Sequence, residues 1–389
     1  MKFSKRLEQL PEQFFARLVA QVAAAVNEGR DVINLGQGNP DQPTPQHIIE
    51  ALHEASDDPS THKYSPFRGI QSLREGAADF YLREYNVELD PETEISILFG
   101  SKAGLVELPM AMMDPGDVLL LPDPGYPDYL SALSLSGAEM ATMPLTQENG
   151  FLPVFDDIPE DIRKKAELMY LNYPNNPTGA MADGSFFEVA IDFAKKHDIA
   201  ICHDFAYGAL GFDGKRPVSF LQQEGAKDVG IEMYTLSKTY NMAGWRVGFA
   251  AGNAQMIAAL DRLHDHMYCS LFPAVQRAAV EALTGPQHHI TEAVERYSQR
   301  RTRLVEECAK IGWKIEAPAG SFFAWLPVPE GFTSQEFADK LLAEVDVSVA
   351  PGNGFGSHGE GYVRVGLVVE EERIAEAVQR IGKLGLFQN

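Results

Sequence analysis

Thr235-Leu236-Ser237-Lys238-Thr239-Tyr240-Asn241-Met242-Ala243-Gly244-Trp245-Arg246-Val247-Gly248 lies between two short apolar runs, Glu232–Leu236 and Val247–Ala251. Both runs read as strands, bounded by the Gly and polar residues that end strands. The spacer departs from that pattern in two places. Lys238 follows an apolar strand end directly, and lysine is seldom buried without a partner. Arg246 stands between Trp245 and the next apolar run, where a guanidinium could pair with a carboxylate of the same chain or with a bound phosphate.

Outward from this stretch the same texture repeats. Strand candidates at Glu94–Phe99, Asp117–Leu121, Leu168–Asn172 and Ile199–His203 alternate with helical patterns such as Ala103–Met113 and Ser185–His197. Strand and helix in alternation predict an α/β fold, with a mostly parallel mixed sheet between helices. Past Gly252 the pattern lengthens into helices at Ala254 to about Gly285 and His289–Lys310. Short strands follow around Ser321–Leu326 and Gly361–Val369, with helices near Ser334–Glu344 and Glu371–Leu384. This is an α+β layout, so a smaller second domain is expected from about residue 281. The segment before residue 45 is turn-rich after its first helix, and the residues alone leave it free to join either domain.

Composition narrows the function classes. The chain has 389 residues, 33 basic and 55 acidic side chains, and a formal charge of −22. A chain of this length buries about 75% of its unfolded surface and folds without staples. Apolar residues at 45% and charged residues at 23% exclude a disordered or collagen-like chain. The acidic surface repels phosphate backbones and anionic lipid, so neither nucleic acid nor membrane is an expected partner. Cys202, Cys269 and Cys308 are odd in number and widely spaced, which argues against a disulfide framework and fits a reducing compartment. Lys2, Lys5 and Arg6 are followed by Glu8 and Glu12 without a long apolar run, so no signal peptide is expected. A cytoplasmic protein is the resulting expectation.

The unusual residues fall at one kind of place, just after strand candidates. Gly100-Ser101-Lys102-Ala103-Gly104, Asp123-Pro124-Gly125-Tyr126-Pro127, Tyr173-Pro174-Asn175-Asn176-Pro177-Thr178-Gly179, His203-Asp204-Phe205-Ala206-Tyr207-Gly208 and Thr235-Leu236-Ser237-Lys238 each follow one. Open α/β sheets bind ligands outside the carboxyl ends of their strands, so the loops describe a site. Singly each has a plainer reading. Gly-Ser-Lys-Ala-Gly suits a phosphate at a helix N-terminus and equally an ordinary capped helix. Asn-Asn-Pro-Thr-Gly is turn chemistry, and Asp204 could be a cap. His264-Asp265-His266 and His288-His289 lack a second ligand cluster, so no metal is expected. Gly352, Gly354 and Gly356 have no strand-to-helix context and read as a turn.

Taken together, in this order and at these separations, the loops resemble the class I/II aminotransferases, enzymes that use pyridoxal 5′-phosphate (PLP) on the type I fold. The resemblance rests most on Ser237-Lys238-Thr239-Tyr240-Asn241-Met242-Ala243-Gly244-Trp245-Arg246-Val247-Gly248 and spans essentially the whole chain. It implies a large PLP-binding domain over 46–280 and a small domain built from 1–45 and 281–389. Residue by residue, it implies that Lys238 bonds the cofactor covalently and later moves a proton, and that Asp204 pairs with the pyridinium nitrogen. Tyr207 and Asn176 would hold the cofactor's phenolic oxygen, and Tyr126 would stack on the ring. Ser101, Lys102, Ala103, Thr235, Ser237 and Arg246 would hold the phosphate, with Thr at 235 where the family more often has Ser or Gly. Tyr64, in Lys63-Tyr64-Ser65-Pro66-Phe67-Arg68-Gly69, would reach the phosphate of a neighbouring subunit, so a homodimer with composite sites is implied. Arg364, in Gly361-Tyr362-Val363-Arg364-Val365-Gly366, would clamp the substrate carboxylate, and Gly38, within Asn34–Asp41, would contact it as well.

The implied reaction is ping-pong transamination between an amino acid and a 2-oxo acid. Dicarboxylate-specific relatives place a second arginine beyond the lysine segment, whereas between Arg262 and Arg277 this chain has none. A neutral side-chain pocket lined partly by Phe14, Phe15 and Tyr126 is therefore expected, because a carboxylate desolvated without a partner costs several kcal/mol. The stretches Asp31–Pro45 and Lys63–Gly69 are similar to the methionine-salvage subgroup, which transfers the amino group of glutamine to 4-methylthio-2-oxobutanoate. The same cofactor residues would serve a C–S β-lyase. A PLP-fold regulator is the remaining alternative, opposed by the acidic charge and by the short segment ahead of Asn34.

Overall fold

A computed structural model describes residues 1–387 of the chain, so Gln388 and Asn389, the end of the expected small domain, lie outside the described residues. After a short strand β1 (Ile33–Asn34) come seven strands of one sheet: β2 (Ile95–Leu98), β3 (Val118–Asp123), β4 (Glu139–Pro144), β5 (Ala166–Leu171), β6 (Ala200–Asp204), β7 (Gly230–Thr235) and β8 (Gly248–Gly252). Their spatial order is β2-β8-β7-β6-β5-β3-β4. The pairs β3–β4, β3–β5, β5–β6 and β6–β7 are parallel, while β8 runs antiparallel to both β7 and β2. The expected mostly parallel mixed α/β sheet is therefore present.

The sheet is covered on both faces, which is why its central strands are nearly continuous apolar runs. Alternation along β3 shows how. Leu119 and Leu121 pack with Leu105, Leu108, Ile257 and Leu260 on one face, whereas Val118 and Leu120 join Leu73, Phe80, Ile191 and Phe249 on the other. A separate apolar core unites Ile33 and Leu35 with Leu304, Phe322, Val363, Val365 and Ile374. It backs a three-stranded antiparallel sheet of β9 (Phe323–Pro327), β11 (Ala350–Pro351) and β12 (Tyr362–Gly366), and β1 pairs in parallel with β10 (Val347–Ser348). The N-terminal strand thus packs with elements of the C-terminal third, and Ala206, Tyr207, Leu210 and Phe212 from beyond β6 join the same core.

Three local readings need correction. The helical pattern expected from Ala254 to about Gly285 is two helices, Ala254–Met267 and Pro273–Thr284. Pro273 has no N–H to continue a helix and sits instead at the first turn of a new one. Lys238 is not at a strand end: Thr235 caps a one-turn helix, Leu236–Thr239, that carries it. Strand β4 escaped notice because it is a partly exposed edge with Glu139 and Thr142, lacking the apolar run of its neighbours.

One buried ion pair ties the N-terminal loop to the helix His288–Lys310. Arg300, fully buried, forks onto Asp41 with bonds of 2.8 and 2.7 Å, and also donates to the Leu367 carbonyl at 3.1 Å. Burial opposes ionisation of Asp41, but the Arg300 bonds outweigh it and hold the carboxyl below its usual range. Arg300→Leu should accordingly lower stability by about 1–3 kcal/mol, since the Leu367 carbonyl loses a donor while Asp41, partly exposed, can be hydrated. A denaturant midpoint unchanged from wild type would refute this.

Candidate active site

A cavity of about 450 Å³ opens at the carboxyl ends of β5, β6 and β7, where the sequence placed its polar loops. One end of it is built for an anion. Gly100, at φ +77°, turns the chain from β2 into the helix Ser101–Met112 and leaves the first amides of that helix facing the cavity. A Cβ on Gly100 would sit 2.7 Å from Arg246 Nη2, so the guanidinium lies directly over the helix start. Gly248 is equally constrained, because its Cβ would meet the Ser101 amide nitrogen at 2.8 Å. Arg246, at φ +58°, donates to the Ala243 carbonyl at 3.0 Å. Thr235 donates its hydroxyl proton to Ser237 Oγ at 2.9 Å and accepts from the Ser237 amide at 3.2 Å. Ser101, Lys102, Thr235, Ser237 and Arg246 all line the cavity. Lys102 commits its ammonium to Asp128 at 2.8 Å. Ala103 is not among the lining residues, and its amide already donates to the Gly100 carbonyl at 3.2 Å.

In the middle stand Lys238 and Asp204. The Lys238 ammonium nitrogen is 2.7 Å from the Gly38 carbonyl oxygen and 5.5 Å from the centre of the Phe322 ring. Burial, then the positive charges of Arg364 and Arg246, lower its pKa to about 8, with Asp204 opposing. Asp204 ends β6 and is almost fully buried. Tyr129 donates to its Oδ2 at 2.9 Å, yet among the described residues its Oδ1 is buried without a hydrogen-bond partner. Burial raises Asp204 to about 6 against the pull of the Tyr129 bond. A buried carboxylate oxygen with no donor calls for one from a ligand. A protonated ring nitrogen would meet that need, so this site fits PLP at both ends. Tyr207 lies edge-on to Phe322 and Phe323, its hydroxyl held neutral by burial, and Tyr126 lies edge-on to Tyr129.

The far end belongs to Arg364, 1% exposed on β12. It donates to Asn176 Oδ1 at 2.9 Å and to the Gly36 carbonyl at 2.8 Å, both neutral oxygens, and its Nε is buried without a partner. Phe323, Phe355 and Phe15 surround the guanidinium with ring centres 4.0, 4.8 and 5.1 Å away. Burial lowers its pKa to about 10, slightly offset by Tyr207 and Tyr126. A buried cation with only neutral partners favours a carboxylate ligand in fork geometry. Gly38 stands beside it, where a Cβ would press on Phe323 at 2.8 Å.

Besides Ala103, two sequence-selected residues lie elsewhere. Tyr64 is 92% exposed and does not line the cavity. Phe14 packs on Phe355 at 5.5 Å rather than lining the cavity, while Phe15, Leu18, Val19 and Tyr126 supply its apolar wall. Several contributors went unread in the sequence. Tyr129, three residues beyond Tyr126 across a turn in which its amide donates to the Tyr126 carbonyl at 3.1 Å, is a legible neighbour. Asn172 was not: its side chain donates to the Asp204 carbonyl at 2.7 Å and accepts from the Asn176 amide at 2.8 Å. Phe355 is carried by the Gly352–Gly356 turn, which is clamped from below. Asp123 accepts from Ser357 Oγ at 2.7 Å and from the His358 amide at 3.0 Å. His264, weighed as a metal ligand, bonds Glu107 at 2.8 Å.

Comparison with known proteins agrees with this geometry. Residues 30–381 match the family model for aminotransferase class I and II. The chain is 60% identical over its whole length to L-glutamine–4-(methylsulfanyl)-2-oxobutanoate aminotransferase of Bacillus subtilis, covering 98% of that protein. It is 45% identical over 99% of its length to LL-diaminopimelate aminotransferase of Moorella thermoacetica, again covering 98% of that protein. The substrate-bound structure of BacF from Bacillus subtilis superposes with a TM-score of 0.97 at 46% identity, each chain fully covered.

Proposed function

The chain belongs to the class I and II aminotransferases and uses pyridoxal phosphate, and on that premise we propose that it moves the amino group of a neutral amino acid, glutamine foremost, to 4-(methylsulfanyl)-2-oxobutanoate, giving methionine. The observation that carries the substrate choice is the character of the cavity wall. Phe15, Leu18, Val19 and Tyr126 are neutral, and every cation lining the cavity is already committed. Arg364 serves the carboxylate end, Arg246 the phosphate end and Lys238 the space between them, while Lys102 is held on Asp128. A substrate with a second carboxylate would bury that charge against apolar groups, at a cost of several kcal/mol. The 60% identity to the glutamine-using relative supports the same reading.

In this proposal the Ser101 and Lys102 amides, Thr235, Ser237 and Arg246 hold the phosphate, with Ala103 at the edge of that cradle. Asp204 Oδ1 accepts from the ring nitrogen while Tyr129 keeps Oδ2 in place. Tyr207 and Asn176 donate to the phenolic oxygen and Tyr126 lies against the ring. When bound, the cofactor supplies the electron-withdrawing ring that takes up charge from the substrate Cα. Arg364 grips the α-carboxylate beside the Gly38 backbone, and this fixes which Cα–H bond faces Lys238. The lysine would take that proton from Cα and deliver it, on the same face, to C4′ of the cofactor. At a pKa of about 8, roughly a tenth of Lys238 is free amine at pH 7, against about 3 in 10,000 at the ordinary lysine value.

We assign residues 46–280 to cofactor binding, and 1–45 with 281–389 to carboxylate binding. We further propose a cytoplasmic homodimer, in which the exposed Tyr64 enters the partner's phosphate site. No helix among the described residues is long and apolar enough to cross a membrane, and the three cysteines are free. The test of substrate choice is to mix the PLP-loaded enzyme with single amino acids and follow the cofactor's absorbance. Glutamine and methionine should convert it, with aspartate at least about 100-fold slower. A preference for aspartate and 2-oxoglutarate would overturn the assignment, and pyruvate and ammonia released from cystathionine with no amino acceptor added would select a C–S β-lyase.

A further inference from the structure

Behind the cavity, next in the chain to Asp204, His203 on β6 and Glu232 on β7 face each other as a cross-strand pair with no exposure to solvent. Four donors converge on the Glu232 carboxyl. The Phe220 amide and His203 Nδ1 reach Oε1 at 2.6 and 2.7 Å, and the Ser219 and Tyr81 hydroxyls reach Oε2 at 2.6 and 2.9 Å. That fills its acceptor capacity, and it puts the imidazole proton on Nδ1. The other ring nitrogen, Nε2, meets a single residue, Tyr173, lying 3.2 Å from its amide nitrogen and 3.1 Å from its carbonyl oxygen. The two contacts compete, because an unprotonated Nε2 accepts from the amide whereas a protonated one donates to the carbonyl.

Tyr173 is buried, and among the described residues its amide has no other acceptor. Buried amides are left unpaired far more rarely than buried carbonyls. The amide bond therefore prevails, with Nδ1 donating to Glu232 and Nε2 accepting from the Tyr173 amide. Tyr173 opens the turn that ends in Asn176, whose side chain accepts from Arg364. The far side of the same turn is held through Asn172.

We propose that His203, with its tautomer set by Glu232, is a positioning residue: it pins the Tyr173 amide and thereby holds Asn176 where Arg364 is kept in fork geometry for a substrate carboxylate. This rests on reading Arg364 as the carboxylate grip. It adds that the grip is set from β6, the strand next to β5, by a side chain that touches neither substrate nor cofactor.

Two variants separate the two halves of the pair. His203→Asn presents an amide N–H to Glu232 near the Nδ1 position but leaves the Tyr173 amide without an acceptor. His203→Gln reaches the Nε2 position but leaves Glu232 short of a donor. In the PLP-saturated enzyme, the Asn variant should raise the KM for the amino acid and the 2-oxo acid alike by about tenfold, well beyond any change in kcat. The Gln variant should keep wild-type KM values while its melting temperature falls. Nitrogen NMR of histidine-labelled wild-type enzyme, with the His203 signals identified by their loss in either variant, should show a protonated Nδ1 and an unprotonated Nε2. A protonated Nε2, or KM values in the Asn variant equal to wild type, overturns the proposal, as do KM shifts that merely track melting temperature in both variants. Wild-type enzyme with no transaminase activity would instead remove the reading beneath it.

Discussion

Lys238→Ala should bind PLP without covalent attachment and lose turnover by at least about 10⁴-fold, the upper range for a positioned proton-transfer group. The effect is that large because one amine provides both attachment and proton movement, and no neighbour can replace it. Asp204 is turned toward the far side of the ring in our reading, and Tyr207 is held neutral by burial. Borohydride reduction of the wild-type enzyme, followed by peptide mass analysis, should place the cofactor on Lys238. Turnover in the variant above one ten-thousandth of wild type would remove Lys238 from its role. The pH dependence follows from the depressed pKa. The reactive form is the free amine, so capture of PLP by the wild-type apoenzyme should quicken with rising pH and level off above about 8. Over the same range Asp204, near 6, is already mostly ionised. A capture rate still climbing tenfold per unit beyond pH 9 would mean that Lys238 keeps an ordinary pKa.

Arg364→Met should reduce kcat/KM by about 10³-fold, largely through KM, without lowering the melting temperature. Losing one partner of a buried charge-assisted pair costs about 2–5 kcal/mol in binding. The stability side runs the other way. In the free enzyme the guanidinium lies under three aromatic rings with only neutral oxygens for partners, so an apolar chain of similar length relieves a desolvation cost. Arg364→Lys should fall between, since an ammonium keeps the charge but loses the planar fork. A melting temperature several degrees lower, with kcat/KM within tenfold of wild type, would make Arg364 a structural residue.

The parts of the fold legible in the sequence are those whose signal is local. The central strands stood out because both faces are covered and they carry apolar runs, as in Val118–Leu121 of β3 and Leu168–Leu171 of β5. β4, half exposed at the edge, carried no such run. The break before Pro273 was written in the residue itself, yet the helical patterns on either side concealed it. The loops of the site were legible for a similar reason. A lysine after an apolar strand, or a Gly-Ser-Lys-Ala-Gly run, is odd where it stands. Asn172, Phe355 and His203 look ordinary in sequence, and what matters about them is what they touch.

The same division separates identity from chemistry at the site. Residue types and their order were enough to imply a PLP enzyme and to name Lys238, Asp204, Arg246 and Arg364. Nothing local states that Arg364 has no acidic partner, that one oxygen of Asp204 lacks a donor, or that the Lys238 amine sits within reach of two cations. Those properties arise between groups far apart in the chain. Lys238 meets a carbonyl 200 positions away and Arg364 one 328 positions away. Desolvation and charge act through space, so the folded arrangement sets the protonation of these groups and leaves their charges open to ligands.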